Sequence, residues 1–383
     1  MSKKRPALKF IHTADWHLTN TCSYGGRDEA GVSRRLLDLA TNIRKMLAFA
    51  VEKRVDFILV AGDIFHSRPD EVTRRVFAGV LRDFLLSGVQ TFITIGQHDI
   101  GREGHFLETF SYVMEEFPLQ SGNVAVLDEL GNHMFTTVRS RANVNLVVQP
   151  WARDVYPREW KAWTDDEYIN ILLGHFPVMG AWASDTYEAE KGVEITQADI
   201  DPFAYVALGD FHRGDQLYYS GSIGRVTFSE RDQAKGFKCV KLDPDTGEVR
   251  KVFFADVHDR PFIQVEVDQA NSKANWLAVD PKNALVKLFV RGSSGFCHQF
   301  AGTLLATAKK QLRDRGAWDV IATYDIVKRE RESRMAGMQV GISLDDAIEI
   351  YVEQEPPPGA RGMNQLIDLG RSLLMEAREH EEP

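Results

Sequence analysis

The chain has 383 residues, is 44% hydrophobic and 26% charged, and carries a formal net charge of −9 at neutral pH. That length suggests two or three domains, and the composition excludes collagenous and disordered classes. The acidic balance excludes a uniformly basic, nucleic-acid-coating surface, although it leaves room for a basic local face and for carboxylates gathered around metal ions. Cys22, Cys239 and Cys297 are widely spaced and odd in number, which argues against a disulfide framework or a zinc ribbon and fits a reducing cytoplasm. Met1 to Lys9 is short and basic without the apolar run of a secretion signal. No window approaches the run of about 18 apolar residues that a membrane span needs, so no membrane location is expected.

The first third of the chain alternates strands and helices. Leu8 to Thr13 is a short apolar run, and Arg34 to Arg54 shows helical periodicity through Leu36, Leu37, Ala40, Ile43, Leu47 and Val51. Asp56 to Ala61 reads as a buried strand, Glu71 to Leu86 as a helix and Thr91 to Ile95 as the next strand. Three shorter strands follow, Val124 to Leu127, His133 to Val138 and Val144 to Val148, read as a meander. Apolar runs at Ile169 to Leu173 and Tyr205 to Leu208 precede strands near Leu217 to Tyr219, Phe237 to Leu242 and Val249 to Phe254. After Arg260-Pro261 the pattern changes: strand Phe262 to Val267, helix Ser272 to Val279, strand Ala284 to Val290, a long helix Gln299 to Arg315 and strand Trp318 to Tyr324. Leu344 to Val352 and Met363 to Ala377 read as two helices around Pro356-Pro357-Pro358-Gly359, which cannot be helical.

The apolar runs of the first 212 residues end in a series of polar clusters: Asp15-Trp16-His17, Gly62-Asp63, Gly96-Gln97-His98-Asp99, Gly174-His175 and Gly209-Asp210-Phe211-His212. Functional residues of α/β sheets collect at the carboxyl ends of strands. A hydrophobic sheet edge has no structural use for so many His and Asp together. Two divalent cations do, because imidazole and carboxylate form the mixed ligand set suited to Mn, Fe or Zn, and a metal pair can clamp both oxygens of a phosphoryl displacement.

The ordered series resembles the motifs of the calcineurin-like metallophosphoesterases, and within them the SbcD type, the nuclease subunit of a double-strand-break repair complex. The segments that carry the resemblance are HTADWHL (12–18), VAGDIFHSRPD (60–70), IGQHD (95–99), LLGHFPVMGA (172–181), VALGDFHRGDQ (206–216) and YYSGSIGRVTFSERDQAKGF (218–237). It implies an α/β fold: a four-layer αββα sandwich, with a small α+β capping domain and a C-terminal helix pair. The implied domains are a nuclease domain (1–258), a DNA-contacting cap (259–330), and a linker with helices for an ATPase partner (331–383). It implies that Asp15, His17, Asp63 and His212 hold one metal, with Asp63 bridging, and that Asp63, His175, Gln97 and Asp210 hold the other. His98 matches a catalytic histidine that is not a ligand, and Asp99 beside it is expected to fix its tautomer. The cofactors implied are two divalent ions, Mn²⁺ with Mg²⁺ or Fe²⁺ as alternatives. The partners implied are DNA ends and single strands, an SbcC-type coiled-coil ATPase and a second copy of the chain, in a cytoplasm that would be the host cell's if the source is viral.

Two positions depart from the family pattern, and both fall on the second metal. Gln97 stands where the family has Asn, and Asp210 where it has the first His of Gly-His-x-His. Each can still coordinate, the Gln through a longer arm and the Asp through a shorter, anionic one. Elsewhere, Arg34-Arg35, Arg74-Arg75 and the mixed run Lys328 to Arg334 read as solvated faces. Lys309, Lys310, Arg313 and Arg315 crowd a helix end, where the helix dipole favours cations with or without phosphate nearby. Trp151, Trp160, Trp163 and Trp182 suit packing as well as base stacking. No P-loop or G-x-G-x-x-G after a strand is present, so any ATP dependence must come from a partner. The metal motifs alone fit a metal-dependent DNA nuclease, a small-molecule phosphodiesterase and a silent scaffold subunit; the region after residue 260 favours the nuclease.

Overall fold

The computed structural model describes residues 5–22, 24–110, 123–152, 159–180, 182–184, 187–188, 193–268, 275–327, 343, 346, 348 and 366–373. The chain divides into two units, Met1–Asp325 and Ile326–Pro383. The described strands, in chain order, are β1 (Leu8–Thr13), β2 (Phe57–Ala61), β3 (Gln90–Thr94), β4 (Val124–Leu127), β5 (Gly131–Thr136), β6 (Asn143–Gln149), β7 (Ile169–His175), β8 (Trp182–Ser184), β9 (Tyr187–Glu188), β10 (Tyr205–Gly209), β11 (Gly236–Leu242), β12 (Val249–Asp256), β13 (Phe262–Val267), β14 (Leu285–Gly292) and β15 (Asp319–Ile326). The described helices are α1 (Arg34–Lys53), α2 (Glu71–Ser87), α3 (Gln197–Ile200), α4 (Asn275–Ala278), α5 (Ser294–Gln299) and α6 (Leu305–Asp314).

Two sheets build the body of the first unit, one ordered β12-β11-β1-β2-β3-β4 and one ordered β10-β7-β6-β5. β1 to β4 run parallel to one another. The sequence of β2, FILVA, is apolar throughout because both faces of the strand are covered. Its alternate residues serve different cores. Ile58 and Val60 pack with Leu36, Ile43 and Met46 of α1 and with Phe77 and Val80 of α2, whereas Phe57, Leu59 and Ala61 meet Val144, Leu146 and Ile171 of the second sheet. Each such large apolar side chain, fully buried, contributes about 1.5–3 kcal/mol. α1 starts on Ser33, whose hydroxyl accepts from the Leu36 amide, and α2 on Asp70, whose carboxylate accepts from the Thr73 amide. The outer face of the second sheet carries a further core with Trp160, Phe176 and Tyr219; helical segments on that side are Glu159–Trp163 and α3. The layers are therefore helix, sheet, sheet and a thinner outer cover.

The strands expected to form a meander do not. β4 joins the first sheet beside β3, while β5 and β6 pair antiparallel in the second, so the chain changes sheet between Leu127 and Gly131. The strand expected near Leu217 to Tyr219 is a single bridge between Tyr219 and Leu208. Arg35 is not solvated: its guanidinium is 3% exposed and donates at 2.9 Å to each carboxylate oxygen of Asp259, which also accepts from the Asn42 side chain and the Arg225 amide. Arg34 is half-buried over the Trp318 ring at 4.4 Å. Trp160 packs, stacked on Phe176 with centroids 5.5 Å apart.

β13, β14 and β15 form a separate three-stranded sheet. α5, a π-helical turn (Phe300–Leu304) and α6 pack on it through Phe296, Phe300, Ala308 and Leu312. Trp318 is capped by Arg34 and by Arg260 at 4.0 Å, and Arg260 also pairs with Asp38 of α1. Arg315 donates to the carbonyls of Trp276 and Val279, so part of the basic helix end is spent inside this layer. In the second unit residues 366–373 form a described helical stretch, and Asp346 and Ile348 are also helical; residues 356–359 and 328–334 lie outside the described residues.

His12 ties the two sheets of the body together. From β1 it reaches across to β10, with Nε2 3.1 Å from the Leu208 carbonyl and Nδ1 3.1 Å from the Tyr205 hydroxyl. Nε2–H therefore donates and Nδ1 accepts, so both nitrogens are satisfied in the neutral ring. Burial, with Lys238 adding to it, pushes its pKa down from 6.5 to about 3. The unfolded chain takes up a proton below its ordinary pKa while the folded chain does not, so stability is lost as pH falls, by about 1.4 kcal/mol per pH unit. That full slope holds only well below pH 6.5, so in urea titrations at pH 6.5 and 5.5 the wild type should lose about 1 kcal/mol more than His12→Gln. Parallel losses would refute the assignment.

Candidate metal centre

β1, β2 and β3 lie side by side and parallel, so the loops that leave them meet at one edge of the first sheet. Asp15 N donates to the Gly62 carbonyl at 3.1 Å and His17 N to the Asp63 carbonyl at 3.0 Å. β7 and β10 of the second sheet are also parallel neighbours and deliver His175 and Asp210 against the same edge. His175 is fixed there by Nδ1, which donates to the Ala61 carbonyl at 2.7 Å. The glycines of the motifs exist for this close approach. A Cβ on Gly62 would strike the His175 ring, and one on Gly96 the Asp63 carboxylate. Asp15, His17, Asp63 and Asp210 all adopt positive φ, at 52°, 46°, 52° and 110°.

The result is a buried cluster of opposed charges. Three overlapping triads have ligand atoms within 4.8 Å of one another: Asp15, His17 and His212; His17, Asp63 and His98; Asp15, Asp63 and His175. Asp63 is central, its Oδ2 lying 3.7 Å from His17 Nε2, 3.9 Å from His98 Nε2 and 3.6 Å from His175 Nε2. Asp15, Asp63 and His175 are 0–1% exposed. Burial lifts the Asp15 carboxyl up to about 7 against the pull of His175 and His212. Burial pulls His175 down, but the carboxylates of Asp63, Asp15 and Asp210 outweigh it and raise the imidazole to about 9. Burial and the imidazoles of His212 and His98 hold His17 well below its usual value.

The donor set fits a divalent cation. His17 Nε2 and His212 Nε2 face each other at 2.9 Å, and His212 Nδ1 is 3.0 Å from Glu230 Oε1. With Nδ1–H given to Glu230, His212 presents its Nε2 lone pair toward His17, where it can accept from His17 Nε2–H and is equally oriented to ligate a cation. His175 Nε2 is buried with no hydrogen-bond partner and points at Asp63 and Asp210. Buried carboxylates and imidazoles in such a mixture are what borderline divalent metals take.

The structure brings Asp15, His17, Asp63, Gln97, His98, His175, Asp210 and His212 together. Gln97 and Asp210 touch: the Gln97 amide donates to Asp210 Oδ1 at 3.2 Å, and Asp210 belongs to none of the three triads. Asp99 is turned away. Its carboxylate accepts from the amides of Ile64, Phe65 and Gly96 at 3.0–3.2 Å, and the His98 Nδ1 it was expected to hold is 2.7 Å from the His66 carbonyl instead. Sequence reasoning missed three participants. His66 stacks its ring on His98 with centroids 5.6 Å apart; Glu230 holds His212; and buried Lys235 holds Glu230 at 2.7 Å. All three lie inside the motif segments 60–70 and 218–237, but none directly follows an apolar strand run, the local pattern that marks the other site residues.

Residues 8–214 match the family model described as calcineurin-like phosphoesterase, more than half of the chain. The chain belongs to that family of phosphoester hydrolases. Among curated proteins it is similar to the DNA double-strand break repair protein Mre11 of Haloferax volcanii, at 27% identity over 376 aligned residues covering 89% of this chain and 77% of the relative. Among solved structures it matches the crystal structure of TT1561 of Thermus thermophilus, with a TM-score of 0.38 and 12% identity over 66% of this chain and 100% of that one.

Proposed function

We propose that this chain is a metal-dependent DNA nuclease, an exonuclease and endonuclease of double-strand-break repair or recombination. The observation that carries the reading is the buried Asp63-centred cluster, in a chain whose similarity to a break-repair protein runs well beyond the phosphoesterase segment. Asp15, His17, Asp63 and His212 hold one divalent ion and Asp63, His175, Gln97 and Asp210 a second, Mn²⁺ or else Mg²⁺ or Fe²⁺. When bound, such a pair supplies Lewis acidity toward the phosphate and lowers the pKa of the attacking water. The protein's own residues do the rest. Asp63 and Asp15 hold the negative charge that keeps the pair in place. His98 faces the cluster through Nε2, its side chain 37% exposed, and carries the proton for the leaving oxygen.

In this reading residues 1–258 are the nuclease domain, 259–330 a cap that meets DNA with Lys309 and Lys310, and 331–383 the docking segment for a coiled-coil ATPase. The active form is a homodimer working in the cytoplasm. A labelled duplex incubated with Mn²⁺, beside a bis-aryl phosphodiester, tests the substrate class. Cleavage of DNA that His98→Ala abolishes is the expected result. Turnover of the small diester with intact DNA would transfer the protein to small-molecule phosphodiesterases.

The Gln97–Asp210 hydrogen bond is the one observation that favours an impaired second site. A longer Gln against a shorter Asp is also how two departures would compensate. If they do, Gln97→Asn or Asp210→His alone should bind Mn²⁺ less well than the double variant, with a coupling of about 0.5–3 kcal/mol in calorimetric titrations. Additive effects would sink the compensation.

A further inference from the structure

The short turn between the metal cluster and the three-stranded layer faces both. Phe228–Glu230 is a single 3₁₀ turn, in which residues two apart point to different sides. Glu230 points to the cluster. It is 7% exposed on its side chain; Oε1 accepts from His212 Nδ1 at 3.0 Å, and Oε2 accepts from the Val226 amide at 3.1 Å and pairs with Lys235 at 2.7 Å. Lys235, with a side chain 0% exposed, also donates to the His212 carbonyl and the Ser222 hydroxyl, each at 2.9 Å. One carboxylate and one ammonium thus grip His212 by its ring and by its backbone.

Phe228 points the other way. It packs with Phe262 and Leu285 of the three-stranded layer, the Phe262 ring centroid 4.8 Å away, and Lys287 sits over its ring at 4.7 Å. Tyr24 closes the same contact from the body, its hydroxyl donating to the Val226 carbonyl at 2.5 Å.

We infer that Glu230 is a positioning residue for the His212 imidazole, and that Phe228 makes its position depend on how the three-stranded layer is seated. Moving that layer drags a turn whose other end holds a metal-facing ring, so seating is read out as metal affinity. Groups that orient a ligating histidine change metal affinity by about 10–100-fold when removed. The inference rests on the reading of His212 as a ligand.

The test is calorimetric Mn²⁺ titration of the full chain, with thermal melting as the check on folding. Glu230→Leu removes the acceptor but alone would strand a buried ammonium, so it is combined with Lys235→Met to remove both charges. That double variant should bind Mn²⁺ about 10–100-fold more weakly. Phe228→Ala, which touches no ligand, should also weaken binding, Phe228→Leu should restore it, and Phe228→Ala should add nothing once Glu230 and Lys235 are replaced. Phe228→Val serves if the alanine variant does not fold. Wild-type affinity in the folded double variant would overturn the positioning role, and wild-type affinity in folded Phe228→Ala would overturn the coupling. His212→Ala separates the two readings: Mn²⁺ bound as tightly without His212 would remove the ligand assignment itself and the inference with it.

Discussion

His98→Ala should lower Mn²⁺-dependent cleavage by about two to four orders of magnitude and leave the bound metal content unchanged. The ring is placed for chemistry and lightly used for structure. Its Nδ1–H is spent on the His66 carbonyl, its backbone amide donates to Asp63 Oδ1 at 2.9 Å, and its Nε2 faces the cluster from a partly open position. Truncation removes the ring and keeps the backbone contact with Asp63, so the cluster survives. Metal analysis beside the nuclease assay decides it. Loss of metal along with activity would make His98 a ligand, a role its triad with His17 and Asp63 permits geometrically.

Adding Mn²⁺ should raise the melting temperature substantially, and chelation should reverse it. A ligand that binds only the folded state stabilises it by about 2.7 kcal/mol at one hundred times its dissociation constant. Without the metal, Asp15 holds a proton up to about pH 7 and His175 up to about pH 9. A carboxyl whose folded pKa is raised contributes stability that fades as pH climbs from its ordinary value through the raised one, so the metal-free fold is penalised at neutral pH. The metal must displace those same protons, and its stabilisation should therefore grow between pH 6 and pH 8. A melting temperature indifferent to Mn²⁺, or a gain that shrinks with rising pH, would count against the cluster as a metal centre.

The sequence made the strand ends legible because Gly-Asp, Gly-His and Gly-Gln-His-Asp interrupt apolar runs, and an interrupted run is a local signal. What it concealed was direction and distance. Asp99 is adjacent to His98 in the chain, but the 3₁₀ turn Gln97–Asp99 rotates its carboxylate onto backbone amides. Arg35 looks like half of a charged pair on a helix; its partner Asp259 is 224 residues away, and no local pattern announces it. The change of sheet after β4 was hidden for the same reason, since short amphipathic strands do not say which neighbour they will pair with. Glu230 and Lys235 sit in an irregular stretch where periodicity carries no information.

The four site residues with positive φ have one more consequence. Among the described residues other than glycine, half of the positions with such backbone are Asp15, His17, Asp63 and Asp210. Each holds a left-handed geometry that costs a non-glycine residue on the order of 1–2 kcal/mol, and glycine would hold it free of that cost. The buried carboxylates of Asp15 and Asp63 offset part of that strain by accepting from the Asp210 and His98 amides. The remainder is a cost that the stabilisation expected from bound Mn²⁺ offsets, so the backbone of this centre is at its least favourable without the ion it is built to hold.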